Sequence, residues 1–210
     1  PSYGFEISEK QDKISSEEIA AYLNQQGVRY DEFIQDIVLN GNILEEMDSN
    51  TLYIEMKNYF DCDIPRSKFE EIIKSHFITK FHPIKDFIQE NNNRNPQGTF
   101  EKWFDCIILK NKNIDRKILL HFVKKWYVGI IAQALNAQFP NEFFLTLLST
   151  SQGIGKTTFL RKYTLPEKLS KYISEHSLNF DDDFKVIMSQ SLLIIDDEMD
   201  GRTYDAEKTF

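Results

Sequence analysis

Apolar side chains follow a helical rhythm in most of this chain and a strand-like rhythm in a few short places. Ile19, Ala20 and Leu23 recur at helical spacing behind Ser15-Ser16-Glu17-Glu18. A serine cap followed by acids suits the positive end of a helix, so a helix is predicted there that stops near Gly27. The apolar residues of 33–39 and the pair Ile43-Leu44 flank Asn40-Gly41-Asn42. An Asn-Gly pair between apolar runs predicts a small hairpin. Further helices are expected over 52–60, capped by Ser49 or Asn50, and over 69–77, introduced by Pro65-Arg66-Ser67; His82-Pro83 should break the chain before 84–88.

The run Gln-Glu-Asn-Asn-Asn-Arg-Asn-Pro-Gln-Gly at 89–98 has little that could pack and reads as a loop or linker. Beyond it Phe100, Trp103, Phe104 and Ile107 recur at spacings of three and four. The apolar positions from Ile118 to Leu135 continue the pattern densely enough to predict a helix buried on more than one side, with Trp103 and Trp126 read as core side chains. At 143–148 the texture changes to Phe-Phe-Leu-Thr-Leu-Leu, too short for a typical helix and apolar enough for a buried parallel strand. The expected organisation is thus a helical region at 1–90 with a small hairpin, a helical lead-in at 99–140 and a third part at 141–210.

Composition narrows the class. With 210 residues, 41% of them hydrophobic and only 8 glycines and 6 prolines, the chain can fill one generous core or two small ones and is no low-complexity linker. No uninterrupted apolar run reaches the roughly 18 residues of a membrane span, and the first residues lack a signal-peptide core. The expectation is a cytoplasmic protein with no membrane association. Cys62 and Cys106 have no CxxC partner and read as reduced thiols in the core. The net charge of −8 argues against a protein that coats nucleic acid, yet it hides a split: residues 1–65 carry −10, residues 66–125 carry +6 and residues 126–210 carry −4. The basic middle could face a polyanion or be an ordinary solvated surface.

Chemistry concentrates after the 143–148 run. Ser149-Thr150-Ser151-Gln152-Gly153-Ile154-Gly155-Lys156-Thr157-Thr158 precedes a helical pattern through Phe159, Leu160 and Tyr163. This is the phosphate-loop motif G-x-x-x-x-G-K-[ST] with Thr150 in place of its first glycine. Gly153 and Gly155 would let backbone N–H groups converge on a phosphate at a helix N-terminus, Lys156 would reach the β and γ phosphates, and Thr157 would offer its hydroxyl to magnesium. Thr158 is small enough for a close approach, and Gln152 and Ile154 complete the loop.

A second acidic strand should accompany such a loop, and Leu192-Leu193-Ile194-Ile195 runs into Asp196-Asp197-Glu198. Asp197 is the favoured metal ligand and Glu198 the favoured general base, with Asp196 a rival for the metal, because alternating side chains leave the register open. Asp181-Asp182-Asp183 reads as a solvated turn, and the four histidines show no metal-ligand spacing.

The stretch from Phe81-His82-Pro83-Ile84-Lys85 through Phe104, the apolar helices to Ala134, the Gln152-Gly153-Ile154-Gly155-Lys156-Thr157-Thr158-Phe159 loop and Leu193 to Met199 resembles the virulence-associated protein E family of phages and mobile elements. Members of that family look like superfamily 3 helicases. The resemblance implies an α+β chain overall, in which a mostly helical N-terminal region leads into a partial α/β P-loop NTPase core with a parallel sheet. It also implies ATP and magnesium as cofactors, DNA as a partner and a homo-oligomeric ring with an arginine from a neighbour. Only 12 residues follow Glu198, so a fragment is expected that stops after the Walker B strand and lacks full turnover. Two other readings stay open: a nucleic-acid binding or scaffolding module whose phosphate loop is vestigial, and another P-loop phosphotransferase such as a small-molecule kinase.

Overall fold

A computed structural model describes residues 14–111, 113–136, 138, 140–149, 151, 153–177 and 182–197. The chain falls into two compact units that divide between Phe81 and His82. It mixes helices with two small sheets, each containing a parallel strand pair.

The first unit starts with helix α1 (Ser16–Gln25). Ser15 closes a full capping box: its Oγ accepts from the Glu18 N–H at 3.1 Å, and a Glu18 carboxylate oxygen accepts from the Ser15 N–H at 2.8 Å. Strands β1 (Val28–Asp31), β2 (Asp36–Leu39) and β3 (Asn42–Ile43) follow, then helices α2 (Glu46–Phe60) and α3 (Arg66–Ile73) and strand β4 (Lys80–Phe81). The sheet order is β3-β2-β1-β4, with β1 antiparallel to β2 and parallel to β4.

The predicted hairpin is present. Val38 pairs with Ile43 and Leu39 with Asn42, which leaves Asn40 and Gly41 as a two-residue turn with φ of 52° and 89°. Positive φ at both centres is the primed geometry that matches strand twist. Residues 1–90 are expected to be mostly helical with a small hairpin, and the structure adds the parallel pairing of β1 with β4. Asp31 is fully buried at the end of β1, where its Oδ1 accepts from the Phe33 N–H at 2.9 Å and shapes the turn into β2.

Helix α2 begins at Glu46, so Ser49 and Asn50 lie inside it and do not cap it. Its first turn carries Glu46 and Asp48, whose charge compensates the helix end where no side chain caps it. Helix α3 ends at Ile73 rather than near residue 77. Ile19, Leu23, Val28, Met56, Phe69 and Ile78 are the sealed centre of this unit, each at most 1% exposed. Cys62 packs at the margin of the same core.

The second unit opens with α4 (Pro83–Asn91). His82 is its N-cap, with Nδ1 accepting from the Lys85 N–H at 3.4 Å, and Pro83 fills the first helical position. The expected break before 84–88 thus falls at the start of a helix, because a proline at the first position needs no N–H. The polar run continues α4 for three residues and forms the loop to α5 (Thr99–Asp105), within the second unit.

Helix α6 (Arg116–Leu135) is capped by Asp115, whose Oδ1 accepts from the Lys117 N–H at 2.8 Å. Arg116 reaches back to the carbonyls of Phe104 and Ile107, each at 2.9 Å, and so closes the end of α5. Only Val123, Trp126 and Ile130 of α6 are buried, all on one stripe, while Ile118, Phe122 and Val128 are exposed. The expectation of burial on several sides is corrected, since the described elements cover a single face. By length and composition alone α6 is apolar enough to cross a membrane, with Lys124 and Lys125 at its middle.

Helix α7 (Lys156–Tyr163), a 3₁₀ turn over Glu167–Tyr172, strand β5 (Ile173–Glu175), helix α8 (Asp182–Gln190) and strand β6 (Leu193–Ile195) complete the unit. Strands β5 and β6 are parallel, with Ile173 opposite Leu193 and Glu175 opposite Ile195. Three corrections fall here. Residues 141–149 form no strand among the described residues, and Phe143, Phe144 and Leu148 are largely exposed, because no neighbouring strand offers this run a hydrogen-bond ladder. Asp183 sits in the first turn of α8 instead of a free turn; Asp181 lies outside the described residues. Cys106 is exposed at the end of α5 and is not a core thiol.

Candidate functional site

The loop before α7 has the backbone that its glycines allow. Gly153 and Gly155 have φ of 72° and 84°. A Cβ at either would meet nothing within 4 Å, so the left-handed backbone rather than crowding calls for glycine. Gly155 is the N-cap of α7 and no side chain caps that end. The first N–H groups of a helix have no partner within it, so Lys156, Thr157 and Thr158 present theirs at the positive end of α7. Among the described residues Lys156 makes no hydrogen bond or ion pair. Ile154 at the loop tip is 59% exposed and Thr158 is exposed, whereas Thr157 is half-buried.

Strand β6 brings the acids to the same place. Thr157 Oγ1 donates a short hydrogen bond to Asp197 Oδ1 across 40 residues of sequence. Asp196 is less exposed than Asp197 and does not share that bond. The geometry thus joins the loop threonine to Asp197 of the two described acids. Glu198 and Gln152, with Thr150, lie outside the described residues.

Two charged residues join this cluster that sequence reasoning missed. Arg161, one turn after Thr157 on α7, directs Nε and Nη2 onto the two carboxylate oxygens of Glu175 at the end of β5. The fork holds the Glu175 carboxyl below the ordinary carboxylate range, and the same contact raises the Arg161 guanidinium. Asp197 acts on both: its charge opposes the lowering at Glu175 and adds to the rise at Arg161. Arg161 could have been flagged from its i+4 spacing to Thr157 on one helix face. Glu175 had no signal, because a three-residue strand leaves no readable alternation.

The aromatic lead-in supports α7. The rings of Trp103 on α5 and Phe159 on α7 lie 5.0 Å apart at 32°, and Phe100 lies 5.3 Å from Trp103. A groove of about 290 Å³ lies between α4 and the 3₁₀ turn, lined by Phe87, Arg94, Pro166 and Lys168, and it includes none of the loop residues. Phosphate capture by amides at a helix end does not require a deep cavity. No group of three or more His, Cys, Asp or Glu side chains able to hold a metal occurs among the described residues. Within the basic middle of the chain, Arg66 pairs with Glu70 at 2.9 Å, Arg116 with Asp105 at 3.0 Å and Lys124 with Glu101. Part of that positive charge is therefore neutralised locally.

Comparison of the chain with family models, with curated proteins and with solved structures finds no match.

Proposed function

We propose that the second unit is a P-loop nucleotide-binding module, and more particularly the ATP-binding portion of a DNA helicase or primase-helicase of a mobile element or phage. The observation that carries the first step is the hydrogen bond from Thr157 to Asp197, which unites the loop and the acidic strand at the uncapped end of α7. The second step rests on the resemblance of residues 80–210 to the virulence-associated protein E family.

In this reading the N–H groups at the start of α7 and the Lys156 ammonium bind the β and γ phosphates of ATP. The Thr157 hydroxyl and the Asp197 carboxylate would hold magnesium, whose preference for hard oxygen donors these groups meet, with Asp196 as a second acid nearby. When bound, the ion would offset phosphate charge during hydrolysis. Glu198 is the proposed general base, and an extended chain would couple hydrolysis to work on DNA, in a ring if a neighbour supplies an arginine.

The test is magnesium-dependent binding of a fluorescent ATP analogue by this chain and by Lys156→Ala. Binding that falls at least about tenfold in the variant supports the phosphate loop. Binding unaffected by the substitution refutes it.

One observation favours a rival reading: the run at 143–148, which should carry a strand into the loop, is unpaired among the described residues. A vestigial loop on a nucleic-acid binding module would show salt-dependent DNA binding that ignores ATP and survives Lys156→Ala.

A further inference from the structure

The ion pair beside the loop is unusual in what it spends its geometry on. Arg161 and Glu175 are joined by both arms of the guanidinium fork, yet their side chains are 50% and 40% exposed. A pair that open to water adds little to the stability of a fold. Its surroundings give it another consequence. Glu175 closes β5 opposite Ile195, and Asp197 follows Ile195 by two residues on the neighbouring strand's exit. Asp197 is also bonded to Thr157, one helical turn before Arg161. Asp197 therefore feels both members of the pair: its charge adds to the rise at Arg161 and opposes the lowering at Glu175. Without Arg161, the Glu175 carboxylate would add its uncompensated charge to the field around Asp197.

Resting on the nucleotide-site reading above, we propose that Arg161 is a positioning residue that neutralises Glu175, so that Glu175 adds no net negative charge to the acids facing the divalent ion held with Thr157. The pair thereby sets how tightly the site takes a metal before nucleotide arrives. A site in which Glu175 is compensated holds a bare cation more weakly and leaves the phosphates of the nucleotide as its main ligands. With the Glu175 charge uncompensated, the site would bind the cation more tightly by itself and repel the incoming phosphates. Glu175 in turn occupies Arg161, whose guanidinium would otherwise be free to pair with Asp197 and compete with the ion.

The experiment measures Mn²⁺ binding to the 210-residue chain without nucleotide, by electron paramagnetic resonance of the free ion, for the wild type, Arg161→Met, Glu175→Gln, the double variant and Arg161→Lys. Arg161→Met should bind Mn²⁺ about tenfold more tightly and Glu175→Gln about threefold more weakly or worse. The double variant should return to within about twofold of wild type, and Arg161→Lys should stay near it, because the charge survives without the fork. A merely structural pair would move both single variants the same way and leave the double variant no better. Either that result, or no gain of Mn²⁺ binding in a folded Arg161→Met chain, overturns the proposal; circular dichroism confirms the fold.

The same samples titrated with the fluorescent ATP analogue in magnesium keep the two ideas apart. If analogue binding requires Lys156 but the Mn²⁺ shifts share one sign, the role of Arg161 fails and the phosphate loop stands. If the Mn²⁺ shifts oppose one another while analogue binding ignores Lys156, the charge control by Arg161 stands and the nucleotide reading fails.

Discussion

The two units of this chain differ in how their side chains are placed. In the first, residues from α1, α2, α3 and β1 meet in one sealed centre, and the buried acid Asp31 is used up in shaping a turn. In the second, the sheet has two short strands among the described residues, and Ile108, Phe122, Val128, Phe144 and Leu148 are exposed. The polar cluster of Thr157, Arg161, Glu175 and Asp197 lies on this second unit. Side chains that must meet a ligand have to stay near water, whereas a closed core has already satisfied its groups internally.

That contrast can be broken by mutation. Phe69 in the first core is fully buried, so Phe69→Ala should cost about 3–5 kcal/mol, while Phe144→Ala in the second unit, at 74% exposure, should stay within about 0.5 kcal/mol. Chemical denaturation of both variants checks this, and equal losses would show that the 143–148 run is packed in solution. A smaller effect is expected from Ser15→Ala, which removes one half of the capping box and should cost about 1 kcal/mol. Restoration by Ser15→Asp, another good cap, would separate capping from any change in packing.

The smallest effect concerns pH. Glu175 has its folded protonation midpoint lowered, chiefly by the hydrogen bond from Arg161. A lowered carboxylate contributes stability that is present above its unfolded midpoint and is lost as pH falls through the folded one. The melting temperature of the wild type should therefore exceed that of Glu175→Gln slightly at neutral pH, and the gap should close below the ordinary carboxylate range. Solvent screening keeps it small. A gap that widens on acidification would show that Arg161 does not hold Glu175 in solution.

Much of the local structure was legible because it is encoded by neighbours in sequence. Ser15 and Glu18 announced α1, Asn40-Gly41 announced its turn, and the aromatic spacing from Phe100 announced α5. The loop glycines, Lys156, Thr157 and the acids after Ile195 were equally visible. Several boundaries were not. Glu45 starts α2 without a side-chain cap, and α3 ends at Ile73 although apolar residues continue to Phe77.

The sequence by itself determined the caps, the hairpin turn and the glycines at positive φ, since each depends on the conformational preference of a few adjacent residues. It also set out the residue types that a phosphate and a magnesium ion would require. Only the tertiary structure decided that β1 pairs with both β2 and β4, that α6 buries one stripe, and that 143–148 has no ladder partner among the described residues. The same level decided that Thr157 meets Asp197 and that Arg161 clasps Glu175. These outcomes depend on groups far apart in the chain reaching the same few ångströms, and no local preference carries that information.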